Sequence, residues 1–66
     1  MNISLNGKIH SLADNSSLGS LIDALELTDK RIAVEVNDEL VPRSEHADCL
    51  LNEGDRVEIV QAIGGG

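Results

Sequence analysis

An α+β fold, a mixed sheet packed against one main helix, is predicted by three features of the sequence. Asn6-Gly7 separates two short runs of strand character, and this dipeptide suits a two-residue hairpin turn in which both central residues take positive φ. Leu18, Leu21, Ile22 and Leu25 recur at i, i+3, i+4 and i+7, the spacing of one apolar helical stripe. Ile32, Val34 and Val36 alternate with Arg31, Ala33 and Glu35, and a second alternating run begins at Arg56. The order is therefore ββαββ, with a short extra extended piece or helical turn. A helix crossing one face of the sheet allows the first and last strands to lie side by side in parallel. The chain has 66 residues, room for one small domain and no more.

Each element follows from local chemistry. Pairing across Asn6-Gly7 sets Met1 opposite Leu12, Ile3 opposite His10 and Leu5 opposite Lys8, so Met1, Ile3, Leu5 and Leu12 share a face. Ile9 falls on the polar face and is the misfit; a longer loop would turn it inward. Asp14-Asn15-Ser16-Ser17 collects turn and cap residues, and Ser17 is the expected N-cap. Gly19 costs the helix up to about 1 kcal/mol relative to Ala, so the helix depends on tertiary packing. Thr28-Asp29-Lys30 is the expected stop. The strand from Arg31 to Val36 turns at Asn37-Asp38 into Leu40-Val41, and Pro42, which cannot donate to a ladder, ends that piece or sits at an edge. Ser44 is a candidate cap for one turn through Glu45, His46 and Ala47. Leu50 and Leu51 are expected core anchors, Asn52-Glu53-Gly54-Asp55 a turn, and Arg56 to Ile63 the last strand. Alternation there points Val57 and Ile59 one way and Glu58, Val60 and Ala62 the other.

Composition narrows the function. Hydrophobic residues make up 41% of the chain with no Phe, Tyr or Trp, so the core must interlock aliphatic side chains. Five basic against twelve acidic residues give a formal charge of -7. Phosphate backbones and anionic membrane surfaces would be repelled, and bases would find no aromatic platform. Such a field steers the chain toward a basic protein surface. Cys49, alone, cannot form an internal disulfide and reads as a small buried hydrophobe. His10 and His46 lack metal-ligand spacing and read as surface or rim residues, and the scattered carboxylates form no acid/base pair. No catalytic residue, bound metal or cofactor is expected. Without an apolar run of signal-peptide or membrane-span length, a soluble cytoplasmic protein, monomeric when free, is the expectation.

What stands out is the end. The last strand runs without charge from Ile59 into Gly64-Gly65-Gly66. Glycine has no side chain to obstruct a narrow tunnel and adopts any backbone conformation inside one. Three extended residues reach roughly 10 Å. The chain thus divides into a domain over 1–63 and a tail over 64–66 that would carry the α-carboxylate of Gly66 into a partner's active site. Val60 and Ala62, beside that tail on the outer sheet face, form a candidate partner surface.

Asn37-Asp38-Glu39-Leu40-Val41-Pro42-Arg43, then Glu53-Gly54-Asp55-Arg56-Val57-Glu58-Ile59-Val60, ending in Ile63-Gly64-Gly65-Gly66, resembles the ThiS family along the whole chain. These are the ubiquitin-like sulfur carriers of thiamin biosynthesis. The resemblance implies a β-grasp (ubiquitin-like) fold and a role as carrier, not enzyme. Gly66 would be converted to an acyl-adenylate by a ThiF-like adenylyltransferase, which binds and consumes the ATP. A persulfide sulfur donor would displace AMP, leaving a thiocarboxylate that thiazole synthase takes into the thiazole ring. Gly65 matches the family's second terminal glycine, and Gly64 supplies tail flexibility. Relatives often carry an aromatic near the last strand, where Val60 and Ala62 stand here. A terminal Gly-Gly is shared with the molybdopterin-synthase small subunit and with ubiquitin-like modifiers. These, and a passive β-grasp interaction module, are the alternatives.

Overall fold

The computed structural model describes residues 1–61. Its elements are β1 (Asn2–Leu5), β2 (Lys8–Ser11), helix α1 (Leu18–Ala24), β3 (Ile32–Val36), β4 (Glu39–Leu40), a 3-10 helix (Arg43–Asp48) and β5 (Arg56–Gln61). The five strands form one sheet in the order β2-β1-β5-β3-β4. β1 and β5 run parallel, with Ser4 beside Arg56 and Leu5 beside Val57. β3 lies antiparallel on the other edge of β5, in register from Ile32–Gln61 to Val36–Val57. The last strand in sequence is therefore the middle strand in space.

Two tight turns set the outer registers. Asn6 and Gly7 have φ of 50° and 85°, and Asn37 and Asp38 have 52° and 70°, the paired positive values of a type I′ turn. The first turn gives the expected pairing of Ile3 with His10 and Leu5 with Lys8. It also keeps Ile9 opposite Ser4, on the outer face, where Ile9 is 83% exposed.

Ser17 caps α1 as expected, in a reciprocal arrangement. The Ser20 N–H donates to Ser17 Oγ at 3.0 Å and the Ser17 N–H donates to Ser20 Oγ at 3.1 Å. The helix stops at Ala24, ahead of the expected Thr28-Asp29-Lys30 stop. Glu26 takes a left-handed φ of 60°. The Glu26 N–H then bonds Asp23 O at 2.9 Å and the Leu27 N–H bonds Ile22 O at 3.0 Å, the Schellman closure. This early turn brings Leu27 back against the core.

The core consists of Ile3, Leu18, Leu21, Ile22, Val34, Leu51, Val57 and Ile59, one face of the sheet and one stripe of the helix joined by Leu51 from the segment before β5, all aliphatic. Leu50 departs from expectation: it pairs with Ser17 in an isolated bridge, and extended alternation sends Leu51 inward and Leu50 out to solvent. His46 also departs, for it is buried within the 3-10 helix with Nε2 3.0 Å from Val41 O. Ser44 makes no cap bond; Pro42 occupies the cap position.

Gly19 has a tertiary reason. A Cβ there would lie 3.2 Å from Ala47 Cα and 3.3 Å from His46 O, so the absent side chain lets α1 press against the 3-10 helix. Helix propensity alone predicts a slight gain for Gly19→Val. Crowding against backbone that cannot swing aside predicts a loss of about 1–3 kcal/mol instead. Urea denaturation followed by circular dichroism reads the sign.

Candidate functional site

β5, the last element among the described residues, is fixed from both of its edges. Val57 and Ile59 point into the core, whereas Glu58 and Val60 point outward. On the β3 side, the turn residue Asn37 fastens the start of β5. Its N–H donates to Arg56 O at 2.8 Å, its Oδ1 accepts from the Arg56 N–H at 2.9 Å, and its Nδ2 donates to Asp55 Oδ1 at 3.1 Å. On the β1 side, Asn6 does the same further along. Its N–H donates to Val57 O at 2.9 Å, its Oδ1 accepts from the Ile59 N–H at 2.8 Å, and its Nδ2 donates to Ile59 O at 3.1 Å. Sequence reasoning took both asparagines only as turn formers. Beside Asn6 a cleft of about 320 Å³ is lined by Leu5, Leu25, Leu27, Ile59 and Gln61.

The outer sheet face carries Val60, 66% exposed, with Ala33 as its cross-strand neighbour. This places Val60 where alternation put it. Ala62, Gly64, Gly65 and Gly66 lie outside the described residues. Leu40, 67% exposed, pairs with Glu35, and the carboxylates of Glu35, Asp38 and Glu58 lie within 4.8 Å of one another. Arg56 answers part of that charge, with guanidinium nitrogens 2.9 and 3.3 Å from the Asp38 oxygens. The hydrogen bond that Arg56 donates to Asp38, and then the charge of that carboxylate, push the Arg56 pKa further up. The face is apolar spots set in net negative charge.

Cys49 is half-buried and packs against the core. Burial, and then the negative charges of Asp55 and Glu45, push its thiol pKa up. An activated nucleophile needs the opposite shift. Cys49 is thus placed as the small hydrophobe the sequence suggested. Among the described residues, no helix is long and apolar enough to cross a membrane.

A five-stranded mixed sheet of this order, grasping one helix, defines the chain as a β-grasp protein. The crystal structure of a thiamine biosynthesis protein (ThiS) from Geobacter metallireducens superposes with a TM-score of 0.85 at 30% identity, covering 100% of both chains. A solution structure of a thiamine biosynthesis protein from the same organism gives 0.81 at 30% identity, covering 100% of this chain and 88% of that one. The ThiS family model matches residues 3–66, and the chain belongs to the ThiS family. A thiazole synthase from Paramagnetospirillum magneticum is 36% identical over all 66 residues, but the chain spans only 20% of that protein's length. The uncharacterized protein ycf40 of Porphyra purpurea is 33% identical, and the chain covers 93% of it.

The raised thiol pKa has a direct readout. Only the thiolate alkylates, so at neutral pH Cys49 should react with iodoacetamide more slowly than a free thiol. The rate should climb as pH rises past the ordinary cysteine range, and urea should abolish the protection. Equal rates for folded and unfolded chain would contradict the assigned environment.

Proposed function

We propose that this chain is a sulfur carrier of thiamin biosynthesis whose cargo site is the α-carboxylate of Gly66. The observation that carries the reading is the position of β5. The strand leading to Gly64-Gly65-Gly66 is central and bonded on both edges as far as Ile59. A rigid body thus presents a short glycine tail. Five residues, 62–66, extend at most about 18 Å.

The chemistry belongs to partners, with the carrier supplying an addressable carboxylate. Carboxylate is a poor electrophile, so a ThiF-like adenylyltransferase joins it to the α-phosphorus of ATP and releases pyrophosphate. A persulfide sulfur then attacks the acyl carbon and expels AMP, giving an acyl disulfide. A second thiol takes the outer sulfur into a new disulfide, and a thiocarboxylate stays on Gly66. Thiazole synthase accepts that sulfur. Likeness between this whole chain and one-fifth of two proteins named thiazole synthase supports that pairing. Gly64 and Gly65 pass through the partner's entrance, and Val60, with Ala62, meets its rim. Ordering the three glycines costs on the order of 3–6 kcal/mol, which suits brief handoff over tight storage.

Growth tests the role. In a bacterial host deprived of its own carrier, this chain together with its cognate adenylyltransferase and thiazole synthase should restore growth without added thiazole. A version extended by one alanine after Gly66 should not; rescue by the extended chain would overturn the assignment of the carboxylate. A second expectation concerns docking. Val60→Asp alters an outward side chain, so stability should stay within about 0.5 kcal/mol while sulfur transfer slows. An unchanged transfer rate would remove Val60 from the interface.

A further inference from the structure

We propose that Asn6 is a positioning residue for the C-terminal tail, a role that rests on the carrier reading above. β1 ends at Leu5, but β5 continues to Gln61. Backbone pairing between them stops at Leu5–Val57, which leaves the peptide groups of Ile59 facing the hairpin turn with no strand beside them. The Asn6 side chain fills that place. Its primary amide carries a carbonyl oxygen and an NH2 group on one carbon, so it can accept from and donate to the same residue. It takes the Ile59 N–H on Oδ1 at 2.8 Å and gives Nδ2–H to Ile59 O at 3.1 Å. A side chain thus supplies the rung of the ladder that the main chain cannot.

The turn does not require this amide. Asp-Gly and Gly-Gly form type I′ turns as well as Asn-Gly, so what only asparagine provides here is the pair of bonds to Ile59. Among the described residues, Ile59 is also where the β1 side makes its last hydrogen bond to β5; Val60 and Gln61 beyond it pair on the other edge, with Ala33 and Ile32. With Asn6 in place, β5 is held on its β1 edge as far as Ile59, so the segment that follows starts from a fixed strand. Without it, the strand end swings about its β3 edge. The body docks as before, but Gly66 reaches the reacting position less often. The loss then falls on kcat and not on KM.

Two substitutions separate the clasp from the turn. Asn6→Gly keeps a turn-competent dipeptide and removes both bonds. Asn6→Asp keeps the turn and the acceptor for the Ile59 N–H, but sets a carboxylate oxygen against Ile59 O. The experiment uses the full chain with a ThiF-like adenylyltransferase and ATP, reading pyrophosphate release against carrier concentration. Amide hydrogen exchange is read on the same samples, with Leu21 in the helix as the internal reference. For both variants kcat should fall about 3–10-fold with KM within about twofold, and urea melts should show the protein still folded. Exchange at Ile59 should quicken about fivefold or more in Asn6→Gly while Leu21 is unmoved, as loss of a local hydrogen bond worth about 1 kcal/mol requires. Unchanged kcat in a variant whose Ile59 exchange has quickened would overturn the positioning role. So would a rise in KM alone, or exchange quickening equally at Leu21, which marks general destabilisation. If the wild-type chain is not adenylated, the carrier reading fails on its own. The clasp is then judged by exchange: faster at Ile59 upholds it, unchanged refutes it.

Discussion

The pairing of β5 on both of its edges is the constraint on which the rest of this structure depends. That strand lies between β1 and β3. Its inward residues Val57 and Ile59 are core, and its outward residues face solvent, so any shift of register by one would exchange the two sets. Parallel pairing with β1 requires a crossover, and α1 is what the crossover carries. The helix, the early Schellman stop at Glu26 and the press of Gly19 against Ala47 all serve to close the chain over the inner face of the strands around β5.

An aliphatic core makes that closure sensitive to fit. No ring fills a gap, so Leu18, Leu21, Val34 and Val57 are the largest side chains buried almost completely, and the sheet and helix meet through many small contacts. The outer face is free of such demands. There Leu40 and Val60 stand near Glu35, Asp38 and Glu58, while Ile9 is exposed at the far edge of the sheet, on β2.

Much of this was legible from local pattern. The Asn6-Gly7 hairpin, the Ser17 cap, the stripe of Leu18, Leu21 and Ile22, and the alternation that turns Val60 outward are all short-range signals, and the structure has each of them. What was not legible depends on contacts between distant segments. Gly19 looked like a flaw in a helix because the residue it makes room for, Ala47, lies in another element. His46 looked like a rim residue because its acceptor, Val41 O, is set by the path of the chain after β4. Leu50 and Leu51 are equal as residues, and only the bridge to Ser17 tells which turns inward. Asn6 and Asn37 were visible as turn residues, but their amides act on a strand far along the chain. For the candidate site, the glycines declare themselves by composition. The structure adds the strand from which they depart.

The claim at the centre of this account is that Gly66 holds sulfur on its carboxyl carbon, and intact-protein mass tests it most directly. The chain would be incubated with its cognate adenylyltransferase, ATP and a persulfide source, beside a control carrying one extra alanine. A mass gain equal to sulfur replacing oxygen, on the native chain alone and mapped by fragmentation to Gly66, is the predicted result. An unchanged mass in the presence of an enzyme proven active would contradict it and leave a β-grasp module whose glycines carry nothing.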